Sequence, residues 1–305
     1  MKNNIAKSFF AGVLILVVLA GCKKEYATIQ QEDSEQITNY IKVNNLSGMT
    51  EYVAAEGNTK TGIYYKIEEV GTGAIVNNTD ITYLTYTLKS FDGASVYTDE
   101  NVNRYSGYLG YLDKATTGLP TAFRTAIKDI LKTKGGKIRI LIPSNQAYGI
   151  GGTNSLFKIA GNQPLDCTIT LYNVDRKSAF EDIFVQKYIV ANSIAGLTKT
   201  PSGLYYQIIE PGAGTEVYPY SVISAVYTGK LINGTVFDEA KTATPFKTTL
   251  SDVIPGWIEG LQLIKKGGKI KLIIPPTLGY GSTPKTGIPS NSILNFDIEL
   301  LDVTN

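Results

Sequence analysis

Apolar residues along this chain occur in short, differently spaced runs, and the spacing of each run predicts an element. Phe9 to Ala20 is an unbroken apolar stretch. It is followed by a polar, acidic-rich stretch over 23–35 that reads as a tether. Residues 37–44 give a short helical run. Thr61 to Gly73 then alternates and closes on glycine, the pattern of a strand ending in a turn, and Ile81 to Leu88 alternates again. In the second half, Trp257, Leu261 and Ile264 are spaced by four and then three, which puts them on one face of a short helix. Pro255 presets the first turn, Gly267-Gly268 is expected to stop the helix, and Lys269 to Pro275 follows as a β run.

The same order of runs occurs twice. Asn39 to Asn44 is echoed by Lys187 to Asn192, and Thr61 to Gly73 by Pro201 to Gly214. Lys134 to Pro143 repeats as Lys266 to Pro275, and Ala147-Tyr148-Gly149 as Gly279-Tyr280-Gly281. Leu165 to Val174 matches the last strand, with Cys167 opposite Phe296. The chain is therefore one unit of about 140 residues used twice. The expected divisions are a leader over 1–21, a tether and short helix over 22–57, a first domain over 58–176, a linker helix over 177–198 and a second domain over 199–305. The copies differ where chemistry would sit. Val96 and Tyr97 stand where the second copy has Phe237 and Asp238. Without gaps, Thr125 falls at the Trp257 position; aligned by helical phase, Phe123, Ile127 and Ile130 repeat the Trp257, Leu261 and Ile264 spacing. The phased alignment is preferred, because a helix must present its apolar face to the sheet. The loop after Tyr148 is longer than its counterpart, so the first copy reads as the same fold with a changed or silent pocket.

Composition narrows the chemistry. The 305 residues are 43% apolar and contain no histidine. That removes His-based acid–base and nucleophilic chemistry and the commonest metal ligand. The two cysteines, Cys22 and Cys167, make no disulfide framework, and Cys167 reads as a buried core thiol. Net charge is +2, and setting aside Lys2 and Lys7 leaves 27 basic against 27 acidic residues, so nothing suggests a nucleic-acid partner. Two early lysines, the apolar run and Leu19-Ala20-Gly21-Cys22 resemble a bacterial lipoprotein signal, which implies cleavage before Cys22 and a lipid anchor on it. An ordinary secretory signal is the alternative. Lys23 after the cysteine points to the outer membrane, facing the periplasm, with the cell surface as the other side available.

Around the tryptophan helix the motifs come in a fixed order. Tyr227-Thr228-Gly229 is followed by Asn233-Gly234-Thr235-Val236-Phe237-Asp238, Pro245-Phe246, Val253-Ile254-Pro255-Gly256-Trp257, Gly279-Tyr280-Gly281, Ile288-Pro289 and Phe296 to Leu301. This ordered set, over about residues 200–303, resembles the FKBP-type (macrolide-binding) peptidyl-prolyl cis-trans isomerases. The resemblance implies an α+β fold: two tandem domains, each a five- or six-stranded antiparallel sheet curled on one short helix and each preceded by a short helix. It implies a pocket with Trp257 as the floor and Tyr227, Phe237, Phe246, Val253, Ile254, Ile288 and Phe296 as walls. The Ile254 N–H and the Tyr280 hydroxyl would hold peptide carbonyls, and Asp238 would sit at the edge. Several of these residues have a plain alternative as core. Glu239 to Thr244 and Ser282 to Gly287 are each shorter than is usual in the family, with Lys285 where an aromatic or histidine is common.

The activity implied is rotation about X–Pro bonds. It needs neither nucleophile nor cofactor, and it would be confined to the second copy. Expected partners are proline-containing or unfolded exported polypeptides, the membrane through Cys22, and macrolide inhibitors. A non-catalytic module binding peptides or a partner, and an assembly part of a surface complex, are the competing readings.

Overall fold

The structure, a computed structural model, describes residues 28–305. The leader over 1–21 and the expected lipidation site Cys22 lie outside the described residues. Helix α1 spans Ile29–Val43. It starts at a reciprocal cap: the Thr28 hydroxyl accepts the Gln31 N–H at 3.3 Å, and the Gln31 side chain accepts the Thr28 N–H at 2.8 Å. Residues 29–35, read above as tether, are therefore helical. Their polarity reflects a face turned to water, with Asp33 and Ile37 the buried positions.

The first sheet contains β1 (Thr50–Ala54), β2 (Thr59–Glu69), β3 (Ile81–Ser90), β4 (Val96–Tyr97), β5 (Arg104–Tyr108), β6 (Lys137–Ile142) and β7 (Leu165–Leu171). Short helices α2 (Lys114–Thr117) and α3 (Ala122–Thr125) lie between β5 and β6. Helix α4 (Lys177–Ala191) leads to the second sheet: β8 (Thr198–Lys199), β9 (Tyr205–Glu210), β10 (Val222–Leu231), β11 (Val236–Ala240), β12 (Phe246–Thr249), β13 (Lys269–Ile274) and β14 (Leu294–Thr304). Helix α5, Pro255–Leu261, precedes β13.

The strand orders are β1-β2-β6-β7-β3-β4 with β5 on β3, and β8-β9-β13-β14-β10-β11 with β12 on β10. These are one topology twice, all pairs antiparallel. Each sheet has seven strands, more than the five or six expected, because short edge pieces pair at both margins. One of them, β1, lies within 22–57, so the sheet begins before residue 58.

Helix α5 carries Trp257 and Leu261 into the core, as the spacing predicts. It ends at Leu261, six residues before Gly267-Gly268; Ile264 follows in the turn and is still buried. The helix lies close on β13: a Cβ at Gly256 would come within 2.6 Å of Ile274, and one at Gly260 within 2.6 Å of Leu272. The corresponding first-copy helix begins as α3 and continues as a π-helical run, Ala126–Leu131. The wider π turn absorbs extra residues while Phe123, Ile127 and Ile130 stay buried, in agreement with alignment by helical phase.

Each copy is also docked onto the helix before it by the same spacing. On α1, Asp33 accepts from the Ser144 hydroxyl at 2.9 Å, Ile37 is buried, and Tyr40 donates to Asp166 at 3.0 Å. On α4, Glu181 accepts from the Thr277 hydroxyl at 2.6 Å, Val185 is buried, and the Tyr188 hydroxyl accepts from Asn295 at 2.9 Å. Helix α4 has a second buried face. Phe180 and Phe184 pack on Tyr172 of the first copy, at 5.2 and 5.8 Å between ring centroids, and Phe180 also packs on Tyr83. Arg104 covers the Phe184 ring at 4.4 Å and donates across to the Asn291 carbonyl of the second copy. Burial pushes this guanidinium down to about 10, against the opposing pull of Glu181. A cleft of about 430 Å³ lies beside α4, between Val102, Tyr188, Ile232 and Pro289.

Candidate active site

The second copy brings five aromatic rings from five elements to one place. Tyr227 comes from β10, Phe237 from β11, Phe246 from β12, Trp257 from α5 and Phe296 from β14. Tyr227 meets Trp257 edge to face at 5.0 Å, and Trp257 meets Phe296 at 5.2 Å. Phe296 meets Phe237 at 5.5 Å, and Phe246 lies 5.9 Å from Tyr227 and 6.2 Å from Trp257. Edge-to-face pairing of this kind adds about 0.5–1.5 kcal/mol per pair beyond burial. Val253, Ile254, Tyr280 and Ile288 pack on the same cluster. All nine apolar and aromatic residues read from the sequence therefore converge. Trp257, Phe296 and Ile288 are buried and the other six half-buried, which makes a shallow cup with a firm floor and open rim.

Strand register explains the convergence. Tyr227 pairs with Ile298 and Gly229 with Phe296, so Tyr227 and Phe296 are diagonal neighbours on one face. Gly229 is necessary there. A Cβ would come within 2.7 Å of the Phe296 ring and 2.8 Å of the Phe237 ring.

The polar groups sit at the rim. Asp238, paired with Gly229 across the strands, accepts the Tyr227 hydroxyl at 2.5 Å. Burial, and then this carboxylate, raise the Tyr227 hydroxyl well above the ordinary tyrosine range. Burial, and then the charge of Asp238, raise Tyr280 as well. Both hydroxyls hold their protons at neutral pH. The Ile254 carbonyl accepts from Trp257 and Ile258, while its own N–H makes no backbone bond among the described residues. The cup thus offers an apolar floor, a free backbone donor and a phenol. These groups can hold and desolvate a peptide segment without forming a bond to it.

The first copy shows how the same topology loses its cup. Phe123 takes the Trp257 place and meets Tyr86 at 5.7 Å, as Trp257 meets Tyr227. Leu88 stands in register with Cys167 and Tyr97, where the second copy pairs Gly229 with Phe296 and Asp238. The ring has become a small thiol and the glycine a leucine. Cys167 is fully buried, and burial raises its thiol well above the usual range, as expected of an inert core cysteine. The remaining space is filled from the loop. Phe157, 3% exposed, lies 6.1 Å from Tyr86 and 4.7 Å from Tyr97. The Tyr97 hydroxyl accepts the Lys158 N–H at 2.7 Å, and the Tyr148 hydroxyl is spent on the Gly118 carbonyl at 2.8 Å. The greater length of this loop is evident in the sequence, whereas the inward turn of Phe157 is not. Phe157 is the one aromatic in this glycine-rich stretch, but Ile150, Leu156 and Ile159 lie beside it, so composition alone does not single it out.

Comparison with known proteins gives the same direction. The family profile of the FKBP-type peptidyl-prolyl cis-trans isomerases matches residues 214–301. The FKBP-type peptidyl-prolyl cis-trans isomerase FkpA of Buchnera aphidicola subsp. Schizaphis graminum is 52% identical over 125 residues, which are 40% of this chain and 48% of that protein. The FkpA of Escherichia coli (strain K12) is 50% identical over 109 residues, 35% of this chain and 40% of that protein. The crystal structure of FkpA from Escherichia coli matches with 43% identity, covering 42% of this chain and 61% of that one, at a TM-score of 0.38. The chain spans about half or less of the length of these two curated relatives. Residues 214–301, which hold the whole aromatic cup, are an FKBP-type peptidyl-prolyl cis-trans isomerase domain.

Proposed function

We propose that the C-terminal cup isomerises X–Pro peptide bonds in polypeptides on the export side of a bacterial membrane. The observation that carries this reading is the convergence of Tyr227, Phe237, Phe246, Trp257 and Phe296 around one depression, with Asp238 bonded to Tyr227 at its edge. Rotation about an amide is slow because resonance must be broken, at a barrier of about 18–20 kcal/mol. The twisted amide has lost its charge separation, so a dry aromatic surface favours it over the planar ground state. The Ile254 N–H and Tyr280 hydroxyl anchor the flanking carbonyls, and Asp238 fixes Tyr227 in the wall. Each tenfold gain needs about 1.4 kcal/mol, within reach of such a surface. The same cup is the place where a macrolide would compete.

The first domain acts as a spacer or docking unit, because its cup is filled by Phe157. Lipidation at Cys22, supported by the sequence run before it, would hold the pair at the outer membrane facing exported clients.

The test is an exchange assay on a short X–Pro peptide with the full chain. Wild type should exceed buffer by orders of magnitude. Asp238→Ala and Trp257→Ala should each lower kcat/KM about tenfold or more, with circular dichroism checking the fold of the Trp257 variant. A wild-type rate equal to buffer removes the catalytic reading and leaves a binding module.

A further inference from the structure

The loop after Tyr280 carries a cation that the reaction itself does not require. Lys285 and Ile288 exchange both backbone hydrogen bonds at 2.9 Å, closing a two-residue turn in which Gly287 has a φ of +75°. The turn is therefore fixed, and Ile288, its other end, is buried in the cup wall. Lys285 Nζ lies 5.9 Å from the centre of the Tyr280 ring. Among the described residues it forms no ion pair. The neighbouring rim charges are engaged: Asp238 holds Tyr227 at 2.5 Å, and Glu239 pairs with Lys241 at 2.8 Å. In the first copy the matching pair, Thr153 and Ile159, encloses five residues, and their side of the cup supplies Phe157. The short turn of the second copy puts an unpaired cation at an open rim.

We propose that Lys285 is a specificity residue, which makes the cup prefer clients with an acidic side chain within two residues of the proline. The inference rests on the isomerase reading above, in which Tyr280 holds a carbonyl next to the proline. A chain so held runs past the ammonium group, so a carboxylate on it is attracted and a basic side chain repelled. The Asp238 charge acts the other way on its own side of Tyr280, so the preference depends on which flank carries the acid. One solvent-facing charge pair amounts to a preference on the order of threefold in low salt.

The experiment uses two peptides that share one Ala–Pro core and differ only in Glu or Lys at one flank, made for each flank in turn. On the full chain, kcat/KM for the Glu peptide should exceed that for the Lys peptide about threefold at one flank. The ratio should fall towards one in Lys285→Gln, reverse in Lys285→Glu, and shrink in about 0.5 M salt. Binding of the same peptides, read as quenching of Trp257, the only tryptophan, reports the ratio even without turnover. Absence of turnover with a charge-dependent binding ratio would overturn the isomerase reading and keep the Lys285 preference. Ratios unchanged by both Lys285 substitutions would overturn the preference and leave the isomerase intact.

Discussion

At the scale of single residues, the cup depends on one missing side chain and one shielded hydroxyl. Gly229→Ala would drive a methyl group into the rings of Phe296 and Phe237. The expected result is a loss of about 1–3 kcal/mol in stability and a fall in isomerase rate, checked by urea denaturation and the exchange assay. Tyr227 gives a pH prediction. Its folded value lies above the unfolded value of 10.0, raised by burial and Asp238. Its contribution to stability is therefore complete below pH 10 and is lost as pH rises towards the folded value. Activity should stay flat from neutral pH up to about pH 10, where that loss begins. Tyr227→Phe should remove this part of the alkaline stability loss and lower the rate on the order of tenfold, read from paired pH titrations of wild type and variant. The identities of the wall residues were legible in the sequence because their order is distinctive. The need for Gly229 was not, since it arises only when β10 pairs with β14 and sets two rings over one backbone position.

At the scale of elements, the lengths of helices and loops decide which copy is open. The predicted helical faces were right in both copies, because apolar spacing reports burial directly. Helix ends were less legible. Helix α5 stops at Leu261, although the glycine pair lies further on. Helix α1 begins earlier than its apolar residues suggest, at a capping box that the polar composition concealed. The first-copy plug is the element with the largest predicted effect. Phe157→Ala should cost about 3–5 kcal/mol, measured by denaturation, and should leave an apolar cavity beside Tyr86 and Phe123. Gain of small aromatic ligand binding, read by heteronuclear chemical shifts of the loop, would accompany it. The plug could not be foreseen from composition, because a loop's own backbone bonds, here Thr153 with Ile159, determine which side chain turns inward.

At the scale of the molecule, two domains share α4, and their joint core is aromatic. Phe184→Ala should cost about 3–5 kcal/mol and uncouple the halves. Trp257 fluorescence, which reports the second half, and far-ultraviolet circular dichroism, which reports both, should unfold together in wild type and separate in the variant. The repeat itself was legible in the sequence; the bridging role of α4 was not, because only packing reveals that both of its faces are covered. The spacing that docks each copy on its helix also shows what the outer surfaces lack. Helix α1 carries the docking residues Asp33, Ile37 and Tyr40, but exposes Glu32 and Gln36 where α4 has Phe180 and Phe184 on its gripping face. The second copy in turn has Ser224 and Leu301 at the positions of Tyr83 and Tyr172. A third unit spliced onto either side would meet charge on one and no aromatic socket on the other. The aromatic joint at α4 is therefore particular to the seam between these two copies, and building the same joint at either outer surface would require new aromatic residues there.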